Sequence, residues 1–184
     1  MSYALLADVD LWNLFIAGDK KVLAYIYKKQ YHLLFAYGVK FCADEELVSD
    51  CIQDLFVKLY TNRKNLNSTV NINTYLIRAL KNRIYDEISL PYQIVNIGDL
   101  PFDFLADDEF VNRFSETDEE WMQKHKLQKA MEQLASNQRE AIYLRFIREL
   151  SYEEIGEVLN INYQSAKNLI SRSLAKLREL YIHL

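Results

Sequence analysis

Proline, glycine and cysteine are scarce in this chain, which has 2 prolines, 4 glycines and 2 cysteines among 184 residues. Because proline and glycine interrupt regular structure, the long stretches without them favour helices. Half of the residues are hydrophobic, which is enough to build the cores of one large or two small domains. The sequence therefore predicts an all-α protein.

The sequence also lacks the signals of membrane insertion and export. No apolar run reaches the roughly 18–20 residues that a membrane-spanning helix needs. The first ten residues, MSYALLADVD, lack the basic segment of a signal peptide. We therefore expect a cytoplasmic protein that does not insert into membranes.

Patterns of metal binding and catalysis are missing as well. Cys42 and Cys51 lie in apolar helical context, where small core residues are the simplest interpretation, and the three histidines are scattered. No nucleophile–base pair, phosphate-binding loop or metal-ligand spacing is found. We expect neither an enzyme nor a cofactor nor a metal site.

The net charge of −4 is distributed unevenly along the chain. Residues 1–90 carry 11 basic and 10 acidic side chains, and residues 121–184 carry 10 and 7. Residues 91–120 carry 1 basic and 9 acidic side chains. Because nucleic-acid contact depends on local patches, the acidic pI does not exclude it at either flank.

Apolar residues at helical spacing predict a short helix and a longer one between Leu11 and Phe41, with a corner at AGDKK. Further helices are predicted at 44–60, 72–88, 119–134, 137–148, 152–159 and 163–181. Prolines and a glycine break the pattern between Ser89 and Glu116, which we interpret as a linker. The predicted organisation is two small helical domains, 1–90 and 119–184, joined by an acidic linker at 91–118.

The stretch LSYEEIGEVLNINYQSAKNLISRSLAKLREL, Leu150 to Leu180, predicts a helix-turn-helix. SYEE is a capping box, Asn160 tolerates the left-handed turn, and Asn162 caps the second helix. The second helix carries a polar and basic face, which suits contacts to base edges and phosphates in a major groove. From the pattern alone, an ordinary helical hairpin with a solvated face is the alternative.

The segment LASNQREAIYLRFIRELSYEEIGEVLNINYQSAKNLISRSLAKLREL resembles the second conserved domain of extracytoplasmic-function sigma factors. These compact bacterial initiation factors direct RNA polymerase to promoters. VSDCIQDLFVKLY is similar to the polymerase-binding helix of the same family, and TYLIRALKNRIYDEI is similar to its promoter-melting helix. The resemblance implies core RNA polymerase and promoter DNA as partners. It also implies an anti-sigma factor that covers the polymerase-binding surfaces.

The resemblance assigns roles to residues of both domains. Asp50, Gln53 and Asp54 share one helical face, which suits a basic surface of the polymerase unless it is merely solvated. The residues implied in polymerase binding are Asp50, Gln53, Asp54 and Phe56. Those implied at the minus-thirty-five element are Tyr163, Gln164, Ser165, Lys167, Asn168, Ser171 and Arg172.

Basic, aromatic and amide side chains are implied at the melted minus-ten element. Basic groups hold phosphates, aromatic rings stack on unpaired bases, and amides in the preceding loop hydrogen-bond a flipped base. These residues are Asn65, Asn67, Asn71, Tyr75, Arg78, Lys81, Asn82 and Arg83. Tyr75 is equally suited to a place in the core, and Asn82 to bracing the loop.

The chain departs from the family pattern at several positions. Tyr75 replaces a common Trp, Ser89 a frequent Arg, and Asn160 a Gly, while Leu169 and Leu174 replace frequent Arg residues. The two lost arginines weaken the expected phosphate contact of the second domain, and the promoter sequence is not predicted.

The acidic linker would mimic nucleic acid within the polymerase or serve as a spacer. A DNA-binding regulator that does not join the polymerase, or a protein–protein module, are the other interpretations.

Overall fold

Eight α-helices form most of the part of the chain that the computed structural model describes, residues 3–67, 71–89, 96–104 and 118–184. They are α1 (Asp8–Ile16), α2 (Lys20–Gly38), α3 (Glu45–Thr61), α4 (Ile72–Ile88), α5 (Asp118–Glu132), α6 (Ser136–Phe146), α7 (Tyr152–Leu159) and α8 (Tyr163–His183). Single 3₁₀ turns lie at Tyr3–Leu5, Arg63–Asn65 and Ile97–Asp99. The predicted all-α fold is confirmed.

Polar caps set the beginnings of the helices. The side chains of Asp19, Asp44 and Asn71 accept hydrogen bonds from the first backbone amides of α2, α3 and α4, which otherwise have no partner within the helix. The predicted corner before α2 is made by Gly18, whose φ of 101° is a left-handed conformation that suits glycine. Helix α1 begins three residues before the predicted Leu11, with acids in its first turn, where the helix dipole favours them.

Helices α1 to α4 form the first bundle around a core of large apolar side chains. Trp12, Phe15 and Tyr37 are among its fully buried residues. Helices α2 and α3 approach closely at Gly38, since a Cβ atom there would lie 2.5 Å from a methyl group of Val48. This bundle positions the outer faces of α3 and α4.

Helices α5 to α8 form the second bundle, in which α7 and α8 cross as a helix-turn-helix. Ile155, Ala166 and Ile170 are buried between these two helices and α6. The corner is tight at Gly156, where an added Cβ atom would lie only 2.7 Å from the carbonyl oxygen of Ile161. A side chain at this position would push the two helices apart.

The predicted linker is not a spacer along its whole length. Leu100, Phe102 and Phe104 are buried, and Phe102 packs between Phe41 of the first bundle and Tyr143 of the second. Sequence analysis missed these core residues because acidic neighbours interrupt the apolar pattern. The idea of nucleic-acid mimicry depends on two groups of acids: Asp107–Glu109 lie outside the described residues, and Asp118–Glu120 form the first turn of α5.

Hydrogen bonds to the main chain of this segment fix it to both bundles. The Phe102 carbonyl accepts a bond of 2.7 Å from Arg139 Nε of α6. The Asp103 amide donates to the Lys40 carbonyl at 2.7 Å, and Lys40 Nζ donates to the Phe104 carbonyl at 3.0 Å. The two bundles are therefore joined by a packed segment and lie against each other.

Among the described helices, none has the length and apolarity needed to cross a bilayer.

Candidate nucleic-acid interface

The helix-turn-helix has the local geometry that its sequence predicts. The Ser151 amide donates to Glu154 Oε2 at 2.7 Å, and the Glu154 amide donates back to Ser151 Oγ at 3.2 Å. Asn160 adopts the left-handed conformation with φ of 55°. Asn162 Oδ1 then accepts a hydrogen bond of 2.8 Å from the Ser165 amide and begins α8. These caps fix the angle at which α8 leaves the bundle.

The outer face of α8 presents every side chain predicted to meet the minus-thirty-five element. All seven residues are exposed, and they lie in the first three turns of the helix, while Ala166, Ile170 and Ser173 face the core. The exposed set is Tyr163, Gln164, Ser165, Lys167, Asn168, Ser171 and Arg172. Leu169, at a position where the family frequently has Arg, packs against the core instead. The face thus combines amide and hydroxyl groups with two cations.

The acidic face of α3 is also accessible. Asp50, Gln53 and Asp54 are exposed. They line a shallow cleft together with Asp44, Glu46, Arg83 and Glu87. Phe56 lies elsewhere: it is buried in the first bundle and packs edge-on against Tyr27, with ring centroids 5.0 Å apart. The first three residues therefore form a surface, and Phe56 fixes the helix that carries it.

Arg83, predicted to meet DNA, belongs to the same acidic surface in this structure. Its guanidinium donates to Asp54 Oδ2 at 2.9 Å and also pairs with Glu87. Partial burial lowers the pKa of Arg83, but the two carboxylates outweigh that effect and the net shift is upward. Arg83 therefore couples the face of α3 to the last turns of α4.

The loop between α3 and α4 places its amides at the surface. Asn65, Asn67 and Asn71 have exposed side chains, and Asn71 caps α4. The Asn67 carbonyl accepts a hydrogen bond of 2.8 Å from Trp12 Nε1. Tyr75 is partly buried against Trp12 with ring centroids 5.6 Å apart, and burial raises its pKa. Tyr75 thus has a packing role and is also partly exposed.

The residues predicted on α4 divide between solvent and the interface of the two bundles. Arg78 and Asn82, four positions apart, are exposed on one face. Lys81 is buried, and its Nζ donates to both carboxylate oxygens of Glu140 at 2.8 Å. The Tyr37 hydroxyl donates to the same carboxylate at 2.8 Å, and burial followed by the proximity of Glu140 raises the pKa of Tyr37 well above its usual value. Lys81 is therefore occupied within the protein in this arrangement.

A second carboxylate of the second bundle, Glu154 of the helix-turn-helix, holds the beginning of α4. Glu154 Oε1 accepts hydrogen bonds from Asn71 Nδ2 at 2.6 Å and from Thr74 Oγ1 at 3.3 Å. Nearby, Arg148 donates to Asn73 Oδ1 at 3.3 Å. We call these contacts, with those among Tyr37, Lys81 and Glu140, the clasp. Through it, α6 and α7 cover the side of α4 that carries Lys81, while the Asn71 side chain remains exposed.

Sequence analysis did not anticipate the residues of the second bundle that form the clasp. One signal was present: Glu140 lies between the buried apolar positions of α6, where a lone carboxylate needs a partner. Glu154 gave no such signal, because its role in the capping box already accounted for a carboxylate at this position. Within the described residues, no cluster of three or more His, Cys, Asp or Glu side chains could hold a metal ion.

Comparisons with known proteins agree with this geometry. The family described as Sigma-70 region 2 matches residues 26–89, and the family described as Sigma-70, region 4 matches residues 124–177. The chain is 24% identical over 156 residues to the ECF RNA polymerase sigma factor SigM of Bacillus subtilis (strain 168), covering 85% of this chain and 93% of SigM. It is 28% identical over 149 residues to SigW of the same organism, covering 71% and 73%.

Two solved structures share the fold. CnrH, in complex with the cytosolic domain of CnrY, gives a TM-score of 0.60 at 18% identity, over 94% of this chain and 96% of that chain. The sigma factor RpoE of Bartonella quintana, in complex with the anti-sigma factor NepR, gives 0.61 at 20% identity, over 85% and 94%. With both conserved regions present in the family's order and together covering 118 of its residues, the chain belongs to the sigma-70 family, and it is similar to members of the extracytoplasmic-function group.

Proposed function

We propose that this protein is an alternative sigma factor that binds core RNA polymerase, directs it to specific promoters and helps to melt them. The observation that carries the proposal is the combination of three surfaces on one chain. They are the polar and basic face of α8, the amide-rich loop leading into α4, and the acidic face of α3. A polymerase subunit that reads two promoter elements needs all three.

The face of α8 serves the minus-thirty-five element. Gln164, Ser165 and Asn168 project near the beginning of the helix, where a recognition helix meets base edges. Gln164 Nε2 donates to Asn168 Oδ1 at 3.0 Å, so these two amides act as one hydrogen-bonding unit. Lys167 and Arg172 flank that unit and neutralise phosphates. Tyr163 and Ser171 complete the contact surface.

The loop before α4 and the exposed side of α4 serve the minus-ten element. Asn65, Asn67 and Asn71 offer amides to a base that has left the duplex. Arg78 and Asn82 meet the adjoining strand. Tyr75 supports the loop and offers its edge to the strand, while Lys81 and Arg83 join the contact when their carboxylate partners move away.

The acidic face of α3 serves the polymerase. Asp50, Gln53 and Asp54 present two carboxylates and an amide on adjacent turns, which is complementary to a basic surface of the core enzyme. Phe56 contributes by anchoring α3 in the first bundle. Since the polymerase works in the cytoplasm, the protein acts there.

Promoter engagement by α4 requires the clasp to open. Glu140 pairs with Lys81, whose side of the helix is covered by α6 and α7, and Glu154 accepts a hydrogen bond from Asn71. The arrangement described here is therefore a closed form. By analogy with RpoE, which was solved with the anti-sigma factor NepR, we propose that an anti-sigma factor binds this protein as well.

Run-off transcription tests the proposal. Purified bacterial core polymerase is incubated with fragmented genomic template, with and without this protein, and the transcripts are mapped. Discrete start sites that depend on the protein, with common upstream sequences, are expected. Binding to DNA fragments without any dependent transcript would identify a free DNA-binding regulator instead.

A further inference from the structure

We infer that Trp12 of α1 is a positioning residue for the base-reading loop between α3 and α4. The inference rests on the proposed function, because it concerns how well that loop distinguishes bases. Helix α1 lies outside every motif from which the function was argued. The observation behind it is that one buried side chain of α1 contacts both the loop, at Asn67, and the first turn of α4, at Tyr75.

The first contact is a directed hydrogen bond to the backbone of the loop, just after its 3₁₀ turn. Trp12 Nε1 donates to the Asn67 carbonyl at 2.8 Å, across 55 positions of sequence. The indole is fully buried, and its N–H is the only polar group that it has. A buried indole N–H needs an acceptor, so the Asn67 carbonyl is held at one distance and in one direction.

The second contact is a ring pair with Tyr75 in the first turn of α4, just after the loop. The Trp12 and Tyr75 ring centroids are 5.6 Å apart at an interplanar angle of 57°, within the range of favourable aromatic pairs. Tyr75 lies one turn after Asn71, the residue that caps α4. The position of the Tyr75 ring therefore fixes the turn on which the Asn71 side chain depends.

These two contacts make Trp12 a bridge between Asn67 and Tyr75. Phe15, one turn further along α1, packs against Trp12 with centroids 5.4 Å apart and keeps the indole in place. A shift of the indole would move the Asn67 backbone and the first turn of α4 together. Because base discrimination depends on amides held in one geometry, loss of the bridge should affect discrimination more than folding.

The test uses Trp12→Phe, which removes the N–H and keeps a buried aromatic ring. The matched control is Leu11→Val, a change at an equally buried residue of the same helix that takes no part in the bridge. The first readout is hydrogen–deuterium exchange of the free protein. Trp12→Phe should accelerate exchange in peptides covering Asn65–Asn67 and the first turn of α4, and Leu11→Val should not do so beyond its effect on global stability.

The second readout is transcription by the reconstituted holoenzyme from promoters that differ at single minus-ten positions. With Trp12→Phe, the ratio between the preferred base and its substitutes should fall about fivefold, the loss expected for one hydrogen bond. Equal loss on all promoters, or unchanged exchange at the loop, would overturn the inference. Hydrogen exchange is measured without polymerase. If the wild-type protein does not support transcription, that result contradicts the proposed function alone and leaves the exchange test of Trp12 in force.

Discussion

Lys81 and Glu140 form a buried ion pair across the two bundles, with Nζ 2.8 Å from both carboxylate oxygens and each side chain only 4% exposed. The pair links α4, the helix proposed to meet melted DNA, to α6 of the second bundle. A buried charge is tolerated only while its partner is present. The closed arrangement therefore depends on both residues at once.

Removing one member of this pair should open the protein. Lys81→Met or Glu140→Met leaves an unpaired buried charge, which costs about 3–5 kcal/mol. Separation of the bundles returns that charge to water, so we expect loss of the contact between bundles with little loss of helix content. Circular dichroism combined with hydrogen exchange of α4 measures the two effects.

The double variant Lys81→Met with Glu140→Met is the control for this prediction. Two apolar side chains in place of a buried pair are often neutral or stabilising, so the double variant should recover most of the protection of α4. If the double variant instead lost as much protection of α4 as the two single variants added together, the pair would not hold the bundles together.

Reversing the charge of Asp54 should weaken binding to core polymerase. Asp54→Lys places a like charge against the basic partner surface, and we expect at least about a tenfold rise in Kd. Asp10→Lys makes the same charge change on α1, and core affinity should hardly change. Fluorescence anisotropy of labelled protein titrated with core polymerase measures both.

Asp54 also pairs with Arg83, so a second variant separates the two roles. Arg83→Met breaks the pair and leaves the acidic face in place. If Arg83→Met reproduced the loss seen with Asp54→Lys, the pair rather than the carboxylate surface would explain it.

Lys167 and Arg172 should set the salt dependence of promoter binding. Each phosphate contact that is removed should reduce the slope of log affinity against log salt by about one unit. We therefore expect Lys167→Ala and Arg172→Ala each to flatten the slope for holoenzyme on a mapped promoter. Lys129→Ala, an exposed change on α5, is the control. An unchanged slope for both variants would remove α8 from the phosphate contacts.

The eight helices illustrate what a sequence encodes locally. Helices α3 to α8 begin within one residue of their predicted starts, because caps such as Ser151 and Asn162 act on the adjacent three residues. The clasp was beyond prediction because Lys81 and Glu140 are 59 positions apart and periodicity carries no information about pairing. The seven α8 residues were predictable for the opposite reason: one helix places them together.

Cys51 should be an unreactive thiol in the folded protein. Burial is the main cause that raises its pKa to about 11 from the usual 9, Arg83 opposes the rise, and nearby acidic groups add to it. A raised pKa means that the folded state holds this proton more tightly than the unfolded chain does. The stability linked to the thiol is therefore complete below about pH 9 and is lost as the pH rises through about 11.

Thiol titration at pH 8 measures this prediction. Cys42, which is partly exposed, should react first, and Cys51 should react only on the timescale of unfolding. Both should react quickly in denaturant. Two fast thiols in the folded protein would contradict the buried position of Cys51.

The closed and open forms differ in the distance between the bundles, which resonance energy transfer reports. Probes placed at the exposed residues Lys28 of α2 and Glu179 of α8, as non-canonical amino acids, leave both cysteines untouched. We expect one high-transfer population in the free protein and a shift to low transfer when core polymerase and promoter DNA are added. The same transfer efficiency in the free protein and in the transcribing complex would contradict a closed form that opens for promoter recognition.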